Sequence, residues 1–245
     1  MRVHEIEHEY PIYHKKNFTR ILKSYKDIPG WLNDADWIYK EVVDKFDDGA
    51  HFVEIGTLLG QSACRMGELI RDSGKDIKFD SIDTFYRILH GIQNGEHPES
   101  FKKYINLYEK QDIMHILDCH TRTLNVNDYI NFICCDSRYA HYMYEDNSLD
   151  FVWIDGNHDE EIVKSDINNY WKKIKPGGIM AGDDYVYSAV NDSVKMLVKS
   201  HHDEIDDFVS SSYGAPTGMN ETAEDRFNFF KITKIVGGGT PLDID

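Results

Sequence analysis

His51-Phe-Val-Glu-Ile-Gly-Thr-Leu-Leu-Gly-Gln-Ser62 is the stretch on which the reading of this chain turns. An apolar run carrying an acid meets two glycines four residues apart and then a polar helix start. That pattern describes a strand, a tight turn and a helix N-terminus. Gly56 lacks the Cβ that would block a bound molecule, and Gly60 lets the helix begin close to the sheet. Glu54 puts a carboxylate near the strand end, where a cationic or hydroxyl-bearing ligand group fits. The spacing is not the Gly-x-Gly-x-x-Gly of dinucleotide dehydrogenases, which needs a third glycine at another offset.

Outward from this turn the chain alternates between short apolar strands and amphipathic helices. Trp31 to Phe46 has a helical period that ends at Asp47-Asp-Gly-Ala. Gln61 to Arg71 reads as the helix after the glycine turn, stopped near Gly74. Strands are expected at Lys78–Ile82, Asn131–Cys135, Leu149–Ile154 and Ile179–Ala181, with helices over Glu160–Lys173 and Val186–Lys199. Ile205–Ser210 and Phe227–Val236 read as a closing strand pair. This alternation calls for a doubly wound α/β fold, a mainly parallel sheet covered on both faces. Residues 1–50 form an N-terminal extension, 51–236 the main domain and 237–245 a flexible tail. Residues 84–130 break the rhythm and are patterned helically, so they read as a cap insert that shapes a pocket.

The chain has 245 residues, 41% hydrophobic and 13% aromatic, which suits a folded domain with a substantial core. Its 43 acids outnumber its 27 bases, for a net charge of -16. Such a surface repels phosphate backbones and anionic membranes, so neither nucleic acid nor membrane is an expected partner. The expected partner is a small molecule or glycan, and self-association is left open. Cys64, Cys119, Cys134 and Cys135 read as buried reduced thiols. With no signal-peptide pattern at the N-terminus, the expected location is the cytoplasm.

Acids recur at the strand ends: Glu54, Asp83, Asp136, Asp155, and the pair Asp183-Asp184. In an open parallel sheet, ligands bind at the carboxyl ends of the strands, where the strand order reverses. Asp83 is placed to accept both hydroxyls of a ribose. Asp136-Ser137 suits the amine and ring nitrogen of an adenine, or else forms a helix N-cap. If the fourth and fifth strands are neighbours, Asp155, Asp183 and Asp184 converge, and three such carboxylates call for a proton or a cation. All-oxygen ligation favours Mg²⁺, Mn²⁺ or Ca²⁺. His158, three residues after Asp155, can face the same pocket and take a proton from a substrate hydroxyl.

Residues 50–200 resemble the class I S-adenosylmethionine-dependent methyltransferases, through Val53-Glu-Ile-Gly-Thr-Leu-Leu-Gly60. Leu149-Asp-Phe-Val-Trp-Ile-Asp-Gly-Asn-His158 and Ile174-Lys-Pro-Gly-Gly-Ile-Met-Ala-Gly-Asp-Asp-Tyr185 are more specific. They are similar to the metal-dependent sugar O-methyltransferases of the macrocin and mycinamicin type. The mycinamicin type carries Glu-Asp where this chain has Asp183-Asp184. The resemblance implies a Rossmann-like, seven-stranded sheet with an antiparallel closing strand. It also implies S-adenosylmethionine as cofactor, held by Glu54, Gly56, Thr57, Gly60, Ser62, Asp83, Asp136, Ser137 and Asp155. Asp155, Asp183 and Asp184 would hold the ion, and His158 or Asp155 would be the base. The implied reaction is O-methylation of a sugar or similar small diol. A catechol chelates an ion equally well, and a module that binds the cofactor without chemistry is the remaining alternative.

Overall fold

The computed structural model describes residues 22–28, 30, 32, 36–85, 113–213 and 227–236. The expected tail and residues 86–112 of the cap, including the pattern around Phe101 to Tyr108, lie outside the described residues. Seven strands form one sheet: β1 (His51–Ile55), β2 (Lys78–Asp83), β3 (Asn131–Cys134), β4 (Leu149–Ile154), β5 (Ile174–Asp183), β6 (Ile205–Tyr213) and β7 (Phe227–Lys234). Their order is β3-β2-β1-β4-β5-β7-β6. The first five strands in that order are parallel neighbours, while β7 runs antiparallel to both β5 and β6. This is the expected Rossmann-like sheet with its antiparallel closing strand. The chain order reverses between β1 and β4, which opens a crevice at their carboxyl ends.

Side chains alternate across the strands, and the sequence supplies apolar residues at both phases. Phe52, Phe151, Trp153, Ile179 and Ala181 belong to one core layer. It is covered by α1 (Asp36–Lys45), α2 (Gln61–Ser73) and α3 (Ile113–Thr123) through Tyr39, Val42, Met66, Ile70 and Leu117. Val53, Ile55, Val152, Ile154 and Met180 enter the opposite layer. There α5 (Glu160–Trp171) and α6 (Ser188–Ser200) cover them through Val163, Ile167, Tyr170, Val194 and Leu197. A short helix, α4 (Ser137–Ala140), follows β3. Each such apolar side chain contributes about 1.5–3 kcal/mol on burial, so register is strongly fixed here.

Three expectations shift. β5 starts at Ile174 and runs through Lys175-Pro-Gly-Gly178, where a turn was expected. α3 falls inside the expected cap, yet Leu117 is fully buried against the main core, so this stretch is part of the sheet's cover. The four cysteines form no disulfide, but only Cys64 is buried. Cys134 is exposed because β3 is an edge strand, and its thiol donates to the Thr84 carbonyl at 3.3 Å. Among the described residues no helix is long and apolar enough to cross a membrane.

Candidate active site

The glycine turn follows β1 directly. Gly56 has φ +93°, and a Cβ there would run into the Asp155 carbonyl of the neighbouring strand end. The need for glycine at this point therefore comes first from the close approach of two backbones. Gly60, at φ +82°, serves as N-cap of α2; a Cβ would stand 2.8 Å from Leu117 of α3. Between them Leu58 is also left-handed at φ 47°, a conformation costly for a bulky residue.

Beneath the turn lies a buried polar cluster. Glu54 is fully buried; it accepts hydrogen bonds from the Tyr39 hydroxyl at 3.0 Å and the Ser81 hydroxyl at 2.7 Å. Ser62 also hydrogen-bonds it. Burial raises the Glu54 carboxyl to about 7, against the lowering effect of these donors. Thr57 is buried with its hydroxyl 2.7 Å from that of Ser81. Asp83, at the end of β2, accepts the amides of Thr57 at 2.9 Å and Leu58 at 3.3 Å through one oxygen, and the Phe85 amide at 3.0 Å through the other. Phe85 is itself left-handed at φ 49°. Asp83 thus ties the glycine turn to β2, and a carboxylate with three such bonds keeps acceptor capacity for ligand hydroxyls.

Farther along the same edge the expectations for adenine divide. Asp136 is the N-cap of α4, accepting the Arg138 amide at 3.0 Å and pairing with its guanidinium at 2.6 Å. Arg138 lowers the carboxyl of Asp136 below its ordinary range. Ser137 donates at 2.9 Å to Asp166, a buried carboxyl raised to about 7 by desolvation. The two side chains expected to act together therefore have different partners.

The β4–β5 edge is arranged otherwise. Parallel pairing sets Ile154 beside Gly182, so Asp155 and Asp183 leave the sheet as neighbours. Asp155, His158 and Asp184 each offer a ligand atom, all within 4.8 Å of one another. The His158 Nε2 lies 2.5 Å from Oδ2 of Asp184, which raises the imidazole's affinity for a proton. Its ring stacks on Tyr187, with centroids 5.0 Å apart and planes 21° from parallel. Burial, then Asp183, then Asp184, push the Asp155 carboxyl well above the usual carboxylate range. Asp183 is set beside this trio and turns one oxygen to the Asp184 amide at 2.7 Å. Asp184 is left-handed at φ 61°. The geometry thus groups His158 with Asp155 and Asp184, and Asp183 acts on Asp155 from beside them.

A family model described as a methyltransferase domain matches residues 53–185, more than half of the chain. The chain belongs to the class I S-adenosylmethionine-dependent methyltransferases. No curated protein matches it in sequence. Among solved structures this methyltransferase is similar to the O-methyltransferase NovP, at 15% identity over 82% of this chain and 80% of that one, with a TM-score of 0.57. An S-adenosylmethionine-dependent O-methyltransferase from Thermotoga maritima is 13% identical over 92% of this chain and 71% of its own, with a TM-score of 0.54. A candidate caffeoyl-CoA O-methyltransferase from Staphylococcus aureus is 14% identical over 95% of each chain, with a TM-score of 0.52. At these identities the likeness is one of fold. In the methyltransferase itself the glycine turn, Asp83 and Asp136 share the carboxyl edge of adjacent strands β1, β2 and β3, a layout that fits an adenosyl cofactor.

Sequence reasoning missed Tyr39, Ser81, Tyr187 and Asn228, whose side-chain amide donates to Asp184 at 3.4 Å. Tyr39 carried only a helical period, and the other three sit in runs that signal strand or helix. None has a local pattern that names its partner.

Proposed function

We propose that this methyltransferase acts on a hydroxyl of a sugar, glycan or similar small diol, assisted by a divalent metal ion. The observation that carries the proposal is the convergence of Asp155, His158 and Asp184 at the β4–β5 edge. A raised Asp155 carboxyl beside Asp183 and Asp184 is an electrostatic arrangement that a cation relieves. The donor set, with its carboxylate oxygens, fits Mg²⁺ or Mn²⁺, and less readily Ca²⁺. When bound, the cofactor supplies an electrophilic methyl and the ion a Lewis acid that acidifies a chelating hydroxyl. Likeness to proteins described as O-methyltransferases supports oxygen as the accepting atom.

The chain's own residues do the rest. The glycine turn and Asp83 hold the adenosyl portion, with Glu54 supporting the turn from below. Asp155 and Asp184 would hold the ion, which would supply a site for two adjacent acceptor oxygens. His158, half-exposed at the rim, receives the proton of the acceptor hydroxyl, and Asp184 stabilises the imidazolium that forms. A vicinal diol suits this geometry, as does a catechol.

Replacing both acids, Asp155→Asn with Asp184→Asn, tests the reading. We expect turnover to fall at least ~10³-fold on diol acceptors, while calorimetry shows adenosylhomocysteine binding within a few-fold of wild type. Undiminished turnover in this variant, or in wild type treated with excess chelator, would exclude the metal role.

A further inference from the structure

We infer that Asn228, on β7, is a positioning residue for the Asp184 carboxylate. The inference rests on the metal-site reading above and names a part of that site which the residues 149–185 do not contain. Antiparallel pairing sets Asp183 opposite Phe229, so Asn228 stands one residue past the pair, against the turn that follows β5. Its amide oxygen accepts the Val186 amide at 2.6 Å, and its amide nitrogen donates to Oδ1 of Asp184 over a longer 3.4 Å. One side chain thus grips the turn by its backbone and holds one carboxylate oxygen, while the other oxygen, Oδ2, faces His158.

The turn needs such a grip. Asp184 is left-handed at φ 61°, a conformation that favours glycine and is held here by its surroundings. Asp183 binds the Asp184 amide, and the Tyr187 amide donates to the Asp184 carbonyl at 2.9 Å. Those two bonds fix the backbone but leave the carboxylate free to rotate about its side-chain torsions. Asn228 at Oδ1, together with His158 at Oδ2, restricts that freedom. The residue type fits the task, since an amide offers an acceptor to Val186 and a donor to Asp184 at once. It is also neutral, so it adds no further negative charge beside Asp155, Asp183 and Asp184. Outer contacts of this kind orient metal-binding carboxylates, and their loss typically weakens binding 10- to 100-fold.

The test is titration of full-length protein with Mn²⁺ alone, read by the loss of free-ion electron paramagnetic resonance signal. For Asn228→Ala we expect Mn²⁺ binding about tenfold or more weaker, with adenosylhomocysteine affinity unchanged because the glycine turn is remote from β7. Asn228→Ser keeps an acceptor for Val186 and guards against a variant that fails to fold; the same loss is expected there, with a smaller drop in melting temperature. Wild-type Mn²⁺ affinity in both variants overturns the inference. A lowered melting temperature with unchanged Mn²⁺ affinity assigns Asn228 to structure alone and also overturns it. Wild-type protein that binds no Mn²⁺ sinks the metal reading itself, a result distinct from equal binding by wild type and variants.

Discussion

The two halves of the carboxyl edge use acids in opposite ways. On the β1–β2 side, Glu54 and Asp83 are answered by protein donors: hydroxyls of Tyr39 and Ser81 for one, amides of Thr57, Leu58 and Phe85 for the other. On the β4–β5 side, burial first, and then the neighbouring Asp183 and Asp184, raise the proton affinity of Asp155. A strand-end acid surrounded by donors serves to shape a loop. In the function proposed above, a strand-end acid facing other acids receives a cation. Left-handed backbone marks both halves, at Leu58 and Phe85 on one side and Asp184 on the other. The remaining left-handed non-glycine residues, Asn125 and Asn147, are of a type that adopts this conformation readily. Among the described residues, Leu58, Phe85 and Asp184 take it along the carboxyl edge.

The halves meet at one point, and breaking it is expected to have the largest effect. Gly56→Ala would drive a Cβ into the Asp155 carbonyl at a positive φ. Stability should fall by roughly 3 kcal/mol or more, measured by denaturant unfolding, with cofactor and metal binding lost together. A variant as stable as wild type would show that the two strand ends part easily and that the halves are independent.

A second change sharpens the contrast by removing the titration of Glu54. Its carboxyl is raised in the folded protein, so the unfolded chain releases that proton first as pH rises. Folding stability therefore drops between the ordinary carboxylate range and about 7, and no further drop from this group follows above that. In Glu54→Gln the drop should shrink by about 3 kcal/mol, read from unfolding curves at pH values spanning that window. An unaltered pH profile would mean that Glu54 stays ionised among its donors, and the two halves would then differ less than argued here.

The smallest effect is expected at the rim. Tyr187→Ala removes the ring that stacks on His158 but leaves the Tyr187 amide bond to Asp184. Turnover on a diol acceptor should fall severalfold, matching roughly 1 kcal/mol for an aromatic contact at a half-exposed site. Tyr187→Phe should retain wild-type rates. Equal loss in both variants would point to the hydroxyl, and no loss in either would remove the stack from the account of the site.

The sheet was legible because its signals are local. Apolar runs of strand length end in acids and alternate with helical periods, and parallel strands buried on both faces need that composition. His158 was legible from its spacing to Asp155. Asp136 was read with two alternatives, adenine contact or helix cap, and the cap is the one its hydrogen bonds display. Ser137 was read with Asp136, but it points to Asp166, a residue on another helix that no nearby pattern announces. Gly56 was read as making room for a bound molecule, while the obstacle a Cβ would meet, the Asp155 carbonyl, was not foreseen, since the two strands are far apart in sequence.

By itself, then, the sequence determined the order of elements, the family and the chemical character of the strand ends, because hydrophobic period and residue type act over short distances along the chain. Tertiary structure alone decided which acids are quenched by donors and which confront one another. It set Tyr39 beneath the glycine turn and Asn228 beside Asp184, through strand pairing and helix packing between segments remote in the chain. The physical reason is that a carboxylate's role depends on the partners within hydrogen-bonding reach of it, and those partners are chosen by the fold.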